Sequence, residues 1–261
     1  MIRLQINPAF ADLLRSRNLH SYPRIMQTSL GRVVEENDLR DVRFLELGEN
    51  NFYLKRTRGE KFSSALESYC RGRLAHSRPF KEMMQFRLLE QLGFDVAEVV
   101  AAGEELRYGV PEKGFIITRE VEGQDLSLVY READEAVRDS ILGDFGSLLG
   151  RLHSNGFFGS TRLKDIISSG KPGDSLKLTL IDRETRNPYR KKANRNKVIA
   201  RLLLNIRRQA QQGEIFSGGE WASFAESYCR SLNSRFGIDA RELLTEILAL
   251  LDRPGKEYLA R

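Results

Sequence analysis

Short apolar runs separated by turn residues mark the first part of the chain. Arg43 to Leu47 and Phe52 to Arg56 flank the sequence Gly48-Glu49-Asn50-Asn51, and this arrangement predicts a β-hairpin. Further strands are predicted at 24–34 and 114–121. The pattern therefore predicts a β-rich beginning of the chain.

In this part of the chain, apolar residues follow a helical spacing less regularly, with one exception. Residues 7–20 predict a short helix, and the polar, basic stretch 59–78 predicts a loop with a helical piece at 64–73. Pro79 opens a stronger helix over 80–92, whose apolar residues cover a wide face. Gly93 ends that helix.

From residue 141 onwards the pattern is mainly helical. Apolar residues at three- and four-residue steps over 141–152 predict a helix, and a loop follows at 154–164. Two short apolar strands are predicted next, one beginning at Asp165 and one ending at Ile181. Asp182 directly follows the second strand, so the two carboxylates could converge on one metal ion. Three more helices are predicted, at 198–206, 221–232 and 243–251.

The composition is typical of a globular protein: 41% of the 261 residues are hydrophobic and 30% are charged. No apolar run approaches the roughly 20 residues that span a bilayer, and the first residues lack the apolar core of a signal peptide. These features predict a cytoplasmic protein without a transmembrane segment. The two cysteines, Cys70 and Cys229, are too few for a disulfide framework or a cysteine metal site.

Positive charge is concentrated in one segment, residues 183–208. It holds ten Lys or Arg residues against a single acid, Glu184, whereas the net charge of the whole chain is +6. Such a segment favours an anionic partner, which could be a lipid surface, a phosphorylated saccharide or nucleic acid. A solvated helix face is the alternative, because Val198, Leu202 and Ile206 supply a buried side for a helix.

The order of parts in the second half is typical of a kinase catalytic segment. Leu152-His153 and Gly156 are followed by a loop, by Asp165, by the two strands and by Ile181-Asp182. With Lys55 on a strand and Glu82 at the start of the long helix, this order resembles the bacterial lipopolysaccharide core kinases, the Kdo and heptose kinase family.

The resemblance implies an α+β, two-lobed protein-kinase-like fold. A small β-rich N-lobe with one long helix would comprise residues 1–122, and a mainly helical C-lobe would comprise residues 123–261. The resemblance covers roughly residues 40–208, and the basic segment would belong to the C-lobe.

The same resemblance implies ATP and Mg²⁺ as cofactors. Lys55 would hold the nucleotide phosphates, and Glu82 would pair with Lys55 to orient its ammonium group. Glu120 lies in the segment expected to form the hinge, whose backbone groups would bind the adenine edge. Asp182 would bind Mg²⁺, and Asp165 would be the second metal ligand.

The chain departs from the family at the catalytic base. The position five residues before Asp165, where the family has an Asp, is occupied by Ser160. Ser160, Asp165 and Asp182 are therefore the predicted catalytic residues, with no carboxylate at the base position. A serine hydroxyl does not act as a base at neutral pH without activation.

Two functions follow from the resemblance. One is an ATP-dependent kinase that phosphorylates a sugar of the lipopolysaccharide inner core. The other is a nucleotide-binding pseudokinase that regulates or scaffolds core assembly. The expected partner is the core saccharide or the anionic surface of the inner membrane, to which the protein would bind peripherally. A basic binding protein without a nucleotide site, for example one for nucleic acid, is the least favoured alternative.

Overall fold

The computed structural model describes residues 1–59, 76–170, 176–182, 193–232 and 234–252. The chain divides into two compact units, Met1–Val121 and Glu122–Arg261, here called the N-terminal and C-terminal units. Several sequence predictions lie outside the described residues: the helical piece at 64–73, Cys70, and the part of the basic segment at 183–192 that includes Glu184.

The N-terminal unit is built on a six-stranded antiparallel sheet. Its strands are β1 (Ile2–Ile6), β2 (Arg32–Asn37), β3 (Arg40–Leu47), β4 (Asn50–Thr57), β5 (Val99–Arg107) and β6 (Val110–Arg119). Across the sheet the order is β1-β5-β6-β4-β3-β2, so β6 and β4 are the central strands. Leu47 pairs with Asn50 in the β3–β4 hairpin, which confirms the hairpin predicted around Gly48.

The described residues of this unit form three α-helices: α1 (Ala11–Ser16), α2 (Tyr22–Gln27) and α3 (Arg78–Gln91). The predicted long helix is confirmed as α3. Pro79 lies in its first turn, where the missing N–H of proline costs no helical hydrogen bond.

The strand predicted at 24–34 is wrong in its first half, because helix α2 runs through Gln27 and β2 begins only at Arg32. A buried arginine explains the helix. Arg56 Nη1 donates hydrogen bonds to the carbonyl oxygens of Ile25, Met26 and Thr28, at 3.2, 3.0 and 2.7 Å. These carbonyls at the C-terminal end of α2 would otherwise lack partners.

The two faces of the sheet have different neighbours. Phe52 and Leu54 of β4 belong to a buried apolar cluster that also contains Leu14 and Ile25 from the α1 and α2 region. Successive side chains of a strand point to opposite faces, so Lys55 of β4 points to the face on which α3 packs. This alternation places a lysine opposite a helix rather than in the apolar cluster.

The C-terminal unit is mainly helical, as expected. A three-stranded antiparallel sheet contains β7 (Gln124–Asp125), β8 (Ile166–Ser169) and β9 (Lys177–Leu180). The α-helices within the described ranges of this unit are α4 (Leu126–Glu132), α5 (Glu135–Ser154), α6 (Arg195–Gln211), α7 (Gly218–Ser231) and α8 (Ala240–Leu251).

The backbones of helices α5 and α7 lie in close contact where the two helices cross. A Cβ atom added to Gly146 of α5 would lie 2.4 Å from the carbonyl oxygen of Phe224 in α7. Glycine is therefore required at this crossing, and it fixes the helix that leads into the predicted catalytic loop. Among the described residues, no helix is both long and apolar enough to cross a membrane.

Candidate functional site

Lys55 and Glu82 form an ion pair in the N-terminal unit. Lys55 Nζ lies 2.8 Å from Glu82 Oε1, and the two side chains are 13% and 2% exposed. Lys55 lies on the central strand β4, opposite Val42 of β3 and Ile116 of β6. The pair expected from the order of motifs is thus present, and it is nearly withdrawn from solvent.

Helix α3 is held in place at its N-terminal end. Ser77 caps the helix, and its N–H donates to Glu104 Oε2 of β5 at 2.8 Å. Glu104 is fully buried, and its other oxygen lies 2.8 Å from His76 Nδ1 and 3.0 Å from Arg3 Nη1. A Cβ at Gly114 would lie 2.3 Å from Ser77 Oγ. Together these contacts position the first turns of α3, and with them Glu82.

Some backbone groups of the predicted hinge segment already make hydrogen bonds within the N-terminal unit. The N–H of Arg119 donates to Glu98 O at 2.9 Å, and the N–H of Glu120 donates to Asn51 O at 2.8 Å. The carboxylate of Glu120 accepts a 2.7 Å hydrogen bond from Asn51 Nδ2. Only the N–H of Val121 in this segment makes no hydrogen bond with the described part of the chain. Glu120 is thus engaged with the start of β4 through both its backbone and its side chain.

The loop after α5 is anchored in the C-terminal unit on both sides of Ser160. Before the loop, His153 is buried and its Nδ1 lies 2.8 Å from the hydroxyl of Tyr228 in α7. After Ser160, the N–H of Thr161 donates to Asn205 Oδ1 at 3.0 Å, and Gln209 Nε2 donates to Thr161 O at 2.9 Å. Helix α6, which begins in the basic segment, therefore supports the loop through buried amides.

Asp165 is engaged by Arg162. The Asp165 carboxylate accepts hydrogen bonds from Arg162 Nε at 2.9 and 3.1 Å, from Arg162 Nη2 at 2.7 Å and from the Arg162 N–H at 3.0 Å. The hydrogen bonds to Asp165 raise the pKa of the Arg162 guanidinium above its usual range, and the charges of Asp182 and Glu214 add to the shift. Arg162 thus lies among three carboxylates.

The two predicted metal ligands are brought close to each other by the β8–β9 pairing. Ile166 pairs with Leu180, and the N–H of Ile181 donates to Asp165 O at 3.0 Å. Asp182 follows directly and is half-buried. The convergence predicted from the sequence is therefore compatible with the structure, but Arg162 was not foreseen. Arg162 lies three residues before Asp165 in a turn, and this spacing was the signal from which the pair could have been predicted.

Glu214 is a second residue that the sequence analysis missed. It lies in the loop after α6, and its Oε2 is buried without a hydrogen-bond partner. Burial, together with the charges of Asp125 and Asp165, raises the pKa of this carboxyl from 4.5 to about 7, against the opposing effect of Arg131 and Lys164. No motif marks this position, because its burial depends on tertiary packing.

Comparison with known proteins gives a consistent picture. The model of the lipopolysaccharide kinase (Kdo/WaaP) family matches residues 25–228, more than half of the chain. The chain belongs to the Kdo/WaaP lipopolysaccharide kinase family. This confirms the resemblance drawn from the order of Lys55, Glu82, Asp165 and Asp182.

One solved structure supports the kinase-like fold, and a second is similar to a lesser degree. A structure described as WaaP in complex with acyl carrier protein matches with a TM-score of 0.65 and 17% identity, and the match covers 95% of each chain. A structure of the bifunctional kinase-methyltransferase WbdD matches with a TM-score of 0.43 and 17% identity, over 98% of this chain and 48% of that one. None of the curated proteins compared matches the chain. At these identities, the WaaP match establishes the fold alone.

The donor set in this member of the Kdo/WaaP family fits Mg²⁺. Asp165 and Asp182 offer carboxylate oxygens, and Mg²⁺ in kinases is bound by one or two carboxylates together with substrate phosphates. No larger group of His, Cys, Asp or Glu side chains suited to a metal ion occurs within the described ranges. Arg162 already donates hydrogen bonds to Asp165. On binding a metal ion, the Asp165 carboxylate would therefore either share its oxygens between Arg162 and the metal or release Arg162.

Proposed function

We propose that this protein is an ATP-dependent kinase that phosphorylates a sugar of the lipopolysaccharide inner core. The observation that carries the proposal is the Lys55–Glu82 ion pair at 2.8 Å, within a chain that belongs to a lipopolysaccharide kinase family. A lysine held by a buried glutamate cannot rotate freely. Its ammonium group is therefore pre-oriented to bind phosphate oxygens.

In the C-terminal unit, Asp182 would hold Mg²⁺ and Asp165 would be its second ligand. Mg²⁺ supplies charge neutralisation on the transferred phosphoryl group, and ATP supplies that group. Arg162, which lies near both carboxylates, would either keep Asp165 neutralised before the nucleotide binds or contribute its charge to the phosphates. The N–H of Val121 would be available to an adenine edge.

A nucleotide-binding pseudokinase is the second candidate, and two observations favour it. Ser160 stands where the family has its catalytic Asp, and the carboxylate of Asp165 already accepts four hydrogen bonds from Arg162. A positioned general base contributes about 10²–10⁴-fold to a rate. Phosphoryl transfer draws mainly on positioning and charge stabilisation, so a kinase without this base would be slow but would still bind ATP.

A transfer assay separates the two candidates. Purified core saccharide and labelled Mg-ATP are incubated with the wild-type protein and with Ser160→Asp and Ser160→Ala. For a slow kinase, we expect measurable transfer that rises in Ser160→Asp by up to about 10²-fold, the lower end for a positioned base. Bound ATP without transfer in any variant would favour the pseudokinase. A large loss of transfer in Ser160→Ala would show that the hydroxyl itself takes part.

The cationic side of α6 supports a peripheral location. Arg201 and Arg208 are exposed one above the other at a seven-residue spacing, and both belong to the basic segment. We propose that this side contacts the anionic cytoplasmic surface of the inner membrane, where about 1 kcal/mol is gained per basic residue near the lipid. Co-sedimentation with anionic vesicles, but not with neutral ones, is the expected result. Because the WaaP structure contains an acyl carrier protein, a protein of that kind is the alternative partner.

A further inference from the structure

Strand β1 has one apolar face and one polar face. It is an edge strand of the six-stranded sheet and pairs with β5, with Arg3 opposite Glu104. Leu4 and Ile6 pack against the buried apolar cluster. Because successive side chains of a strand point to opposite faces, Arg3 and Gln5 point to the other face, on which α3 packs. The polar side chains of β1 are therefore turned towards the helix of the ion pair.

The first contact of β1 reaches the N-terminal end of α3 through Glu104. Arg3 Nη1 lies 3.0 Å from Glu104 Oε1, and the Glu104 side chain has no exposed surface. The other oxygen, Oε2, accepts a 2.8 Å hydrogen bond from the N–H of Ser77, the cap residue of α3. His76 Nδ1 lies 2.8 Å from Glu104 Oε1. The ring of His76 stacks on Phe80 in the first turn of the helix, with ring centroids 5.1 Å apart.

This arrangement makes the end of α3 depend on Arg3. A buried carboxylate requires partners, and Arg3 and His76 hold one of its oxygens in place. The second oxygen of Glu104 then has a defined position, at which it accepts the N–H of Ser77. The position of the helix end follows from that of Glu104, and the position of the carboxylate follows in part from Arg3.

A second contact of β1 lies farther along the helix. Arg87 Nη1 of α3 donates to Gln5 Oε1 at 2.6 Å. This contact is exposed and therefore contributes less than the first. Glu82 lies between Ser77 and Arg87 in the helix, so β1 holds α3 on both sides of the glutamate. A helix that is fixed at two points along its length does not pivot freely about either one.

We infer that β1 positions the Lys55–Glu82 pair, with Arg3 as its principal positioning residue. Loss of the β1 contacts lets α3 leave the place in which Glu82 meets Lys55, although both residues of the pair are unchanged. Strand β1 lies outside residues 25–228, which match the family model, so the match does not imply this role. The consequence for nucleotide binding rests on the proposed kinase function. The effect on the ion pair does not, because the pair forms without nucleotide.

Double-mutant cycles test the inference without nucleotide. The cycle of Lys55→Met and Glu82→Leu, measured by urea unfolding, gives the coupling energy of the pair. It is measured in the wild type, in Arg3→Ala and in Leu4→Ala. Leu4→Ala is the matched control, because it weakens β1 on the apolar face and leaves the polar face intact. We expect the coupling energy to fall by about half or more in Arg3→Ala and to be unchanged in Leu4→Ala.

Mg-ATP binding reports the same displacement at the nucleotide. The apparent Kd rises as the paired position of α3 becomes less populated, so Arg3→Ala should raise the Kd by about tenfold if that position is occupied about one tenth of the time. Leu4→Ala should bind as the wild type does. Arg3→Lys keeps a cation beside Glu104 and should restore much of the coupling and of the affinity. Gln5→Ala should lower both by a smaller amount, because it removes only the exposed contact.

The two proposals fail in different ways. A wild type that does not bind Mg-ATP would overturn the kinase proposal, and the urea cycles would still decide the role of β1.

The inference about β1 is overturned if the coupling energy in Arg3→Ala equals the wild-type value, because Arg3 would then stabilise the unit without positioning the pair. It is equally overturned if Leu4→Ala lowers the coupling as much as Arg3→Ala does, which would show that the pair responds to any loss of stability. If Arg3→Ala does not fold, Gln5→Ala decides in its place, since Gln5 is exposed. A coupling energy equal to the wild-type value in Gln5→Ala then overturns the inference.

Discussion

The pairs Lys55–Glu82 and Arg162–Asp165 differ in how they are built. Lys55 and Glu82 are 27 residues apart, come from a strand and a helix, and are 13% and 2% exposed. Arg162 and Asp165 are three residues apart in one turn, and their side chains are 31% and 7% exposed. The first pair needs the packed N-terminal unit in order to form. The second can form within a single short segment.

The difference bears on what each pair can do. A pair between two packed elements fixes a charge in space, which suits a lysine that must meet phosphates. In the local pair the arginine is partly exposed, so water can solvate Arg162 while a metal ion takes its place at the buried carboxylate of Asp165. On this account the N-terminal unit holds a preformed group, and the C-terminal unit holds groups that change partners on ligand binding.

The largest stability effect is expected when the Lys55–Glu82 pair is broken. Glu82→Leu removes the carboxylate next to a mostly buried ammonium group, and we expect a loss of about 3–5 kcal/mol in the free energy of unfolding. The double variant Lys55→Met/Glu82→Leu should regain much of this loss. Urea unfolding of the wild type, both single variants and the double variant measures the coupling. If Glu82→Leu costs no more than an exposed substitution, the pair does not fix the lysine.

A smaller, pH-dependent effect on stability is expected at Glu214. Its folded-state pKa of about 7 exceeds the ordinary 4.5, so deprotonation is less favourable in the folded state. The resulting destabilisation is absent below pH 4.5, grows as the pH rises to about 7 and is constant above that. Glu214→Gln should therefore stabilise the protein at pH 8 by about 1 kcal/mol, after allowance for partial exposure, and not at pH 4.5.

Melting temperatures across this pH range measure the effect at Glu214, with Glu226→Gln on the exposed side of α7 as the matched control. A control that shifts as much as Glu214→Gln would attribute the change to net charge. Equal stabilisation by Glu214→Gln at both ends of the range would contradict the raised pKa.

A loss of stability is also expected at Arg162. Arg162→Ala leaves the buried carboxylate of Asp165 without the hydrogen bonds that it accepts from Arg162, so we expect a cost of about 1–3 kcal/mol in the free energy of unfolding. This cost is smaller than that of Glu82→Leu because Arg162 is 31% exposed and water can replace part of its interaction. The same variant should bind Mg²⁺ more tightly in the absence of nucleotide, since Asp165 then has no internal partner for its oxygens. Calorimetric titration with Mg²⁺ checks this, and Arg162→Lys should lie between the variant and the wild type. A loss in Arg162→Ala as large as that in Glu82→Leu would remove the contrast between the two pairs.

The structural elements that depend on local sequence could be predicted. The turn at Gly48-Glu49-Asn50-Asn51 gave the β3–β4 hairpin, and Pro79 gave the start of α3. The order of motifs from Lys55 to Asp182 predicted the family and the kinase-like fold correctly. The alternating apolar residues of β1, Ile2, Leu4 and Ile6, carried a strand pattern that the sequence analysis did not use.

Features that depend on tertiary contacts were not predictable. Helix α2 is completed by the buried guanidinium of Arg56, which also pairs with the buried carboxylate of Asp41. No local pattern links Arg56 to residues 22–27. The unpartnered carboxyl of Glu214 likewise results from the packing of the loop after α6, which sequence periodicity does not encode.

Nucleotide binding is the central claim, and thermal unfolding with and without Mg-ATP tests it most directly. At a concentration of 100 times the Kd, Mg-ATP should stabilise the wild type by about 2.7 kcal/mol. Lys55→Met and Asp182→Asn should lose most of this stabilisation, whereas Arg201→Ala should keep it. A wild-type melting curve that is unchanged by millimolar Mg-ATP would contradict the nucleotide site, and with it both the kinase and the pseudokinase interpretations.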